Sequence, residues 1–218
     1  MLTARIDHLV VTAPTLTQGT QYLHETLGVS PQAGGEHPRM GTHNSLLRLG
    51  PDLYVEVIAP DPRAAAPSRP RWFQLDDANW NVQPQLASWV ARTSDIYAAQ
   101  AAAHIPNGEI QSMTRGDLEW LITITEDGGR PMQGAAPSFI QWNTPTHPAA
   151  AMQETGCSLL DLEVHHPEAA ALQETLRRIG FEGKLSAHAL SAGVPPYLVA
   201  HIQTPNGPRQ LGVSISRN

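Results

Sequence analysis

The stretch IDHLVVT at residues 6–12 is an apolar run rich in β-branched side chains, which predicts a β-strand. Thr15 then begins a helix that Gly28 ends, because hydroxyl side chains cap helix N-termini and glycine readily adopts the left-handed conformation at the C-terminus. Two more apolar runs follow at residues 45–49 and 53–59, on either side of a Gly-Pro-Asp turn. The first unit is therefore predicted to be a strand, a helix, a loop and at least two further strands.

This order of elements recurs twice more along the chain, and such recurrence indicates a repeat architecture. The predicted organisation is a first βαβββ unit at residues 1–60, a linker with an aromatic segment at 61–85, a second βαβββ unit at 86–145 and a third, looser unit at 156–218. The last strand of the third unit is predicted at residues 209–216. Helices on mostly antiparallel strands give an α+β fold, in which two units pair into a curved mixed-sheet cleft and the third unit follows.

The composition favours a globular protein of a reducing compartment. The 218 residues carry a formal charge of −6, without the cluster of Lys and Arg that nucleic-acid binding needs. No apolar stretch approaches the roughly 20 residues of a membrane span, and the first residues lack the pattern of a signal peptide. Cys157 is the single cysteine, which excludes an intrachain disulfide. We expect a cytoplasmic protein with no nucleic-acid or membrane partner.

His8 and Glu56 are the polar residues that stand out within the predicted strands. Strand alternation places His8 on one face with Ile6 and Val10, and Glu56 on one face with Tyr54. The other face of the second strand is entirely apolar and is expected under the helix, so Glu56 is predicted to face the cleft. A carboxylate among apolar neighbours costs several kcal/mol unless it is paired or binds a cation. Two interpretations stay open: the start of a divalent-metal site, or a hydrogen-bonded core histidine with Glu56 at a wet rim.

Five segments of the chain carry a resemblance to a known family. They are IDHLVV at residues 6–11, GTHN at 41–44, YVEVIAP at 54–60, WVART at 89–93 and FIQW at 139–142. Together they resemble the vicinal oxygen chelate superfamily and, within it, the glyoxalase-like domain proteins. The resemblance covers about residues 5–145 well and the C-terminal third more loosely. It gives little guidance on substrate, because this fold hosts isomerases, lyases, ring-opening dioxygenases, thiol transferases and drug-binding proteins.

The resemblance implies a metal site with two ligands from each paired unit, one from its first strand and one from its last. In this chain His8 and Glu56 form the first pair, whereas their counterparts are Ser88, a poor ligand, and Gln141, a weak neutral oxygen donor. The implied ligand set is therefore His8, Glu56 and Gln141, for a divalent ion such as zinc, manganese, nickel or iron. No nucleotide-binding fingerprint is present in the sequence, so no nucleotide cofactor is expected.

Further side chains are expected to line the cleft. His43 could complete, with His8 and Glu56, the two-histidine, one-carboxylate triad of ferrous oxygenases, or it could contact the substrate with Asn44 as a turn residue beside it. Aromatic side chains would suit an apolar or planar ligand, although each of them could equally pack in the core or linker. The expected substrate-binding residues are His43, Asn44, Tyr54, Trp72, Phe73, Ser88 and Trp142.

The remaining histidines are assigned structural roles from the sequence. His147 lies in a predicted linker, and His165 directly precedes the third predicted helix. His188 and His201 lie on predicted strands of the third unit, where alternation does not bring them to the first unit. None of these residues is included in the predicted site.

The resulting functional expectation is a glyoxalase-like enzyme for a small molecule with two adjacent oxygens. A metal held by His8, Glu56 and Gln141 would stabilise an enolate or oxyanion in isomerase or lyase chemistry, with Glu56 either as a ligand or as the general base. The first alternative is a metal-free protein that binds or sequesters a small molecule, as resistance proteins of this fold do, and the second is a ring-cleaving dioxygenase. Three units cannot all pair within one chain, so the third is expected either to pack on the side of the pair or to meet a partner chain, which would give a homodimer.

Overall fold

The computed structural model describes residues 2–212, within which the chain forms twelve β-strands and three α-helices. The first unit contains β1 (Ala4–Thr12), α1 (Leu16–Leu27), β2 (Gln32–His37), β3 (Thr42–Gly50) and β4 (Leu53–Pro60). The second contains β5 (Gln85–Thr93), α2 (Ile96–Ala102), β6 (Glu109–Arg115), β7 (Leu118–Ile124) and β8 (Ser138–Trp142). The third contains β9 (Ser158–His166), α3 (Ala169–Arg178), β10 (Leu185–Ala189), β11 (Tyr197–Thr204) and β12 (Gly207–Gly212).

Each unit therefore runs strand, helix and three strands, and the predicted α+β class with repeated βαβββ units is confirmed. The first loop of the chain contains the short strand β2, which the apolar pattern alone did not define. The last strand of the third unit begins at Gly207, earlier than predicted, and the part of the prediction at 213–216 lies outside the described residues. None of the helices of residues 2–212 has the length and apolarity needed to cross a membrane.

The first two units share one curled eight-stranded sheet with the strand order β2-β3-β4-β1-β5-β8-β7-β6. The antiparallel neighbours β1 and β5 join the two units at its centre. Each of these strands has the last strand of its own unit as its parallel neighbour on the other side. Because β1 and β4 are central and adjacent, a residue of one lies directly beside a residue of the other.

A β-bulge at Asp7 interrupts the alternation of β1. Ile6 pairs with Ala91, whereas His8 pairs with the next residue of β5, Val90, so that Asp7 is the extra residue. Ile6 consequently packs in the core beneath the sheet, and His8 faces the cleft. The prediction that Ile6 and His8 share a face is wrong, because alternation holds only for an unbroken ladder.

Helix α1 packs against the underside of β4 at Gly19. A Cβ atom at this position would lie 2.4 Å from Cγ1 of Val57 and 2.9 Å from Cβ of Ala13, so the helix approaches the sheet more closely than any other residue would permit. Leu23 and Leu27 of the same helix are completely buried in the main core. This contact holds the apolar face of β4 inward and leaves its other face for the cleft.

The third unit forms its own four-stranded sheet with the order β10-β9-β11-β12. Its pairing differs from that of the first two units, since β9 has as parallel neighbour the strand that directly follows the helix. The apolar residues of this sheet, such as Leu162 and Leu198, belong to the same core as Leu9 and Trp89 of the large sheet. The third unit thus covers the underside of the eight-stranded sheet.

The start of β1 is also tied to the third unit through its backbone. Ala4 N donates to Gly180 O at 3.2 Å, and Ala4 O accepts from Glu182 N at 2.8 Å. Arg5 adds an ion pair with Glu182 at 2.7 Å. The strand that carries His8 therefore has neighbours in all three units.

Replacing Gly19 tests the close packing of α1. Gly19→Leu is expected to lower the free energy of unfolding by about 1–3 kcal/mol, because the new side chain overfills the space beside Val57. Urea unfolding followed by circular dichroism measures this change. Thr17→Leu, at an exposed position of the same helix, is the control and should change stability little. Equal effects of the two substitutions would contradict the packing argument.

Candidate functional site

A cavity lies on the cleft side of the large sheet, between the first two units. It holds about 30 Å³, room for roughly two water molecules. Polar side chains come mainly from the first unit and aromatic or aliphatic ones mainly from the second unit and the linker. The lining residues are His8, His37, Asn44, Tyr54, Glu56, Trp72, Phe73, Arg115, Trp120, Ile122, Ile140 and Trp142. A wider groove of about 360 Å³ adjoins the cavity at Trp142, which lines both.

The buried carboxylate of Asp7 is the anchor of the polar half. Oδ1 lies 2.7 Å from Nδ1 of His8, and Oδ2 accepts 2.9 Å hydrogen bonds from Nε1 of Trp142 and Nε2 of His147. Burial alone would raise the pKa of Asp7, but the hydrogen bonds from His147 and His8 outweigh it and hold the pKa well below its usual range. An ionised carboxylate only accepts hydrogen bonds, so Nδ1 of His8 carries a proton, and in the neutral form of the imidazole Nε2 has the free lone pair.

The free nitrogen of His8 faces Glu56. Nε2 of His8 lies 3.6 Å from Oε2 of Glu56, and both side chains are almost completely buried. The other carboxylate oxygen accepts a hydrogen bond from Nδ2 of Asn44 at 2.5 Å. The ring of Tyr54 stacks on His8 with a centroid distance of 4.7 Å. His8 and Glu56 are thus each held from behind, and their reactive atoms point at one another.

Asn44 reaches Glu56 because Gly34 makes room for it and Gly35 holds its side chain in place. Oδ1 of Asn44 accepts a 2.7 Å hydrogen bond from the backbone of Gly35. A Cβ atom on Gly34 would lie only 2.1 Å from the same oxygen. Asn44 is therefore a positioning residue for Glu56, and not the turn residue considered from the sequence.

Arg115 and His37 form the second polar group of the cavity. A guanidinium nitrogen of Arg115 donates to Nε2 of His37 at 3.0 Å, so the proton of His37 is on Nδ1, which lies 3.2 Å from Oγ1 of Thr42. Burial, with the charge of Arg115 as the next cause, lowers the pKa of His37 to about 3. His37 is consequently neutral at physiological pH, and Arg115 is the cation of the cavity.

An aromatic turn encloses the cavity from the linker side. Trp72 and Phe73 are buried against it. Phe73 and Gln74 have positive φ angles of 57° and 61°, a conformation that residues other than glycine rarely adopt. Gln74 is held there by a 2.8 Å backbone hydrogen bond to Gly128 and by side-chain bonds from Arg130. The turn is thus anchored to the second unit, which places its two aromatic rings over the polar pair.

The structure brings together most of the residues that the sequence singled out. His8, Asn44, Tyr54, Glu56, Trp72, Phe73 and Trp142 all line the cavity. Asp7, Arg115 and His147 were missed, and His37 is not among the predicted site residues. Asp7 carries the clearest signal that could have revealed it, since a carboxylate within an apolar strand needs a partner, and the adjacent His8 supplies one.

Three predicted site residues lie elsewhere. Gln141 is on the opposite face of β8, where its Oε1 accepts from the backbone of Ile96 at 2.9 Å at the start of α2. His43 pairs with Ala59, on the face of β3 opposite to Asn44. Ser88 pairs with Val10 and is completely buried. Within residues 2–212 its hydroxyl has no hydrogen-bond partner, and Ser88 is not among the residues that line the cavity. Alternation puts Ile140 and Trp142 of β8 in the cleft instead of Gln141.

The donors in the cavity do not complete the metal site that the family resemblance implied. His8 and Glu56 are close enough to bind one ion, but an open zinc site has three protein ligands. Gln141 faces away, and His37 already accepts from a cation. Within residues 2–212, three side chains of metal-ligating types lie close together in the third unit, namely Glu163, His165 and His188.

The low pKa of His37 makes stability depend on pH. The unfolded chain takes up a proton at His37 near pH 6.5, whereas the folded chain does so only near pH 3. The free energy of unfolding is therefore expected to fall as the pH drops below about 6.5. His37→Gln removes this contribution, so its stability deficit relative to the wild type should be smaller at pH 4.5 than at pH 7.5.

Urea unfolding at both pH values measures this difference, and His104→Gln at an exposed position is the control. A deficit of His37→Gln that is the same at both pH values would show that His37 titrates normally.

Comparisons with known proteins place the chain in a family. A family model described as a glyoxalase-like domain matches residues 6–180. No curated protein sequence matches the chain. Among solved structures, the chain is similar to a mutant of 4-hydroxymandelate synthase from Streptomyces coelicolor, with a TM-score of 0.52 and 14% identity over 97% of this chain and 63% of that chain. At this identity the likeness concerns the fold alone.

Two shorter structures are also similar to the chain. Methylmalonyl-CoA epimerase in complex with methylmalonyl-CoA and NH4+ gives a TM-score of 0.45 and 13% identity over 68% of this chain and 100% of that chain. Methylmalonyl-CoA epimerase from Mycobacterium tuberculosis gives a TM-score of 0.41 and 14% identity over 63% of this chain and 85% of that chain. Since the family model spans most of the sequence, the chain belongs to the glyoxalase-like domain family.

Proposed function

We propose that this chain is a small-molecule enzyme that moves a proton at a carbon next to a carbonyl group, as isomerases and lyases do. The observation that carries the proposal is the line of contacts from Asp7 through His8 to Glu56 within a small, largely aromatic cavity. A buried carboxylate that orients a neutral imidazole is the arrangement of a general base. Family membership is compatible with this chemistry and with several others.

His8 is the proposed first base. Its Nε2 removes the proton from the carbon, the C–H electron pair moves into the carbonyl as an enolate, and Asp7 stabilises the imidazolium that forms. Glu56, at 3.6 Å from the same nitrogen, is the second proton carrier. It can accept the proton and return it to a neighbouring atom of the substrate, which completes an isomerisation without any net change in the enzyme.

Arg115 is the proposed partner of the negative charge that develops on the substrate. One of its nitrogens donates to His37, and a guanidinium has further N–H groups for a carboxylate or enolate oxygen. A substrate with two adjacent oxygens would fit this donor arrangement. The aromatic walls exclude water, which strengthens the attraction between Arg115 and the enolate.

Access to the cavity requires movement, because the enclosed space is smaller than any such substrate. The adjoining groove beside Trp142 is large enough for a small molecule and is lined by Arg5 and Arg92. We propose that the substrate enters from this groove as the Trp142 side chain turns aside.

A second candidate function is ligand binding without chemistry, and one observation favours it. Apart from Arg115, the second unit contributes uncharged walls to the cavity, chiefly Trp120, Ile122, Ile140 and Trp142. Such surfaces hold apolar or planar molecules without reacting with them. Catalysis of proton exchange separates the two functions.

Proton exchange can be measured without knowing the natural substrate. A panel of 2-oxo acids, 2-hydroxyketones and acyl thioesters is incubated with the protein in D2O, and loss of the α-proton signal is followed by NMR. The wild type is expected to accelerate exchange in at least one class, and His8→Ala and Glu56→Gln to slow it by about 10²–10⁴-fold. His104→Ala, at an exposed site, is the control.

Binding of panel members, seen as quenching of tryptophan fluorescence, with no exchange would support the binding function and contradict the enzyme. Exchange that survives both substitutions would place the chemistry outside this cavity.

The role of Asp7 is tested by Asp7→Asn. An amide at this position can donate to Nδ1 of His8, which moves the imidazole proton to Nε2 and removes the free lone pair. Exchange is expected to fall by about 10²–10⁴-fold while circular dichroism shows a folded protein. Asp117→Asn, in the exposed β6–β7 turn, is the matched control. A loss of structure without a specific loss of rate would assign Asp7 a purely structural role.

A further inference from the structure

A group of imidazole and carboxylate side chains lies on the third sheet, away from the cavity. Glu163 and His165 are on β9, His188 is on β10 and His201 is on β11. His165 is the direct cross-strand partner of both His188 and Tyr197. The alternate residues of β9, such as Leu162, are buried in the main core. The group therefore occupies the outward face of this sheet, with the shared core between it and the large sheet.

Glu163 lies between two of the histidines. Its Oε2 is 2.9 Å from Nε2 of His165, and its Oε1 is 2.7 Å from Nε2 of His201. Both carboxylate oxygens are thus oriented by imidazole nitrogens, and Glu163 is the anionic ligand candidate of the group.

His188 is the exposed member of the group. Its ring stacks on His165 with a centroid distance of 4.8 Å, and Tyr197 stacks on the other side of His165 at 4.3 Å. One ligand atom each from Glu163, His165 and His188 can be chosen so that all three lie within 4.8 Å of one another. To bind one metal ion, the stacked imidazoles would have to turn about their soft terminal torsions so that their lone pairs converge.

We propose that Glu163, His165 and His188 form a binding site for a divalent transition-metal ion, with His201 holding the carboxylate in place from behind. Two imidazoles and one carboxylate, with a position left for water, match an open tetrahedral zinc site. Nitrogen donors favour zinc, nickel or copper over magnesium and calcium. The hydrogen bond from His201 would orient the Glu163 carboxylate, as hydrogen bonds to ligating carboxylates commonly do in metal sites.

The ion would take the place of the proton shared between Glu163 and His165. It would join β9 to β10, which are parallel neighbours in the third sheet, and so stabilise the unit against unfolding. The site is separate from the proposed chemistry of His8 and Glu56, because the core of all three units lies between them. Metal binding at this site therefore does not depend on the function proposed for the cavity.

Metal binding is tested on untagged full-length protein freed of metal with a chelator. Calorimetric titration with zinc chloride is expected to show one bound ion per chain, and zinc is expected to raise the melting temperature. His188→Ala, at an exposed position, should abolish both effects without affecting the fold. His201→Gln should weaken binding by about 10–100-fold. Cobalt(II) in place of zinc should give the intense visible absorption of a tetrahedral site in the wild type and not in His188→Ala.

Two controls make the result specific. His104→Ala removes an exposed histidine elsewhere and should bind zinc as the wild type does. The double variant His8→Ala, Glu56→Gln should also keep the ion. Loss of zinc in the double variant with retention in His188→Ala would place the ion in the cavity and overturn the proposal. Failure of the wild type to bind zinc, nickel or cobalt would overturn it as well.

Discussion

The hydrogen bonds of the buried Asp7 carboxylate are the interaction on which the functional half of the molecule depends. A charge in this position is tolerable only because three N–H groups surround it, from His8, Trp142 and His147. These donors come from β1, from β8 and from the segment that leads to the third unit. One carboxylate therefore fixes the tautomer of the central imidazole and also joins the two halves of the cleft. The bulge that turns Asp7 inward is the backbone feature that makes this possible.

Much of this arrangement could be predicted from local pattern. The apolar alternation of β4 placed Glu56 and Tyr54 on the cleft face, and the capping residue Thr15 marked the start of the first helix. The failures share a different cause, which is pairing between distant strands. A bulge at Asp7 or the outward direction of Gln141 depends on the register of the neighbouring strand, and a single residue of slippage exchanges the two faces. The pairing of the third unit was unpredictable for the same reason, because its order of elements is that of the first two units while its strand neighbours are not.

The first and third units contain a similar group in two different settings. In each, a histidine stacks on the tyrosine that is its cross-strand partner, at 4.7 Å for His8 and 4.3 Å for His165, and a glutamate lies beside it. The group of the first unit is enclosed by aromatic rings, where a proton transfer is shielded from water. The group of the third unit lies on an open face, where a hydrated ion can approach at little cost in desolvation. Burial, more than residue identity, separates the two proposed roles.

The backbone bonds between Ala4 and residues 180–182 bear on how such a chain can evolve. A gene encoding only the first two units would retain every lining residue of the cavity. It would lose Gly180 and Glu182, the backbone partners of Ala4 at the start of β1. It would also lose Phe181, whose ring packs edge-on against Trp89 of β5 at a centroid distance of 5.6 Å. The family match, which ends at residue 180, includes the first segment that returns to β1. That match covers the cleft together with β9 and α3 of the third unit. A gene for the first two units alone would encode a β1 without the backbone partners that hold its first residue.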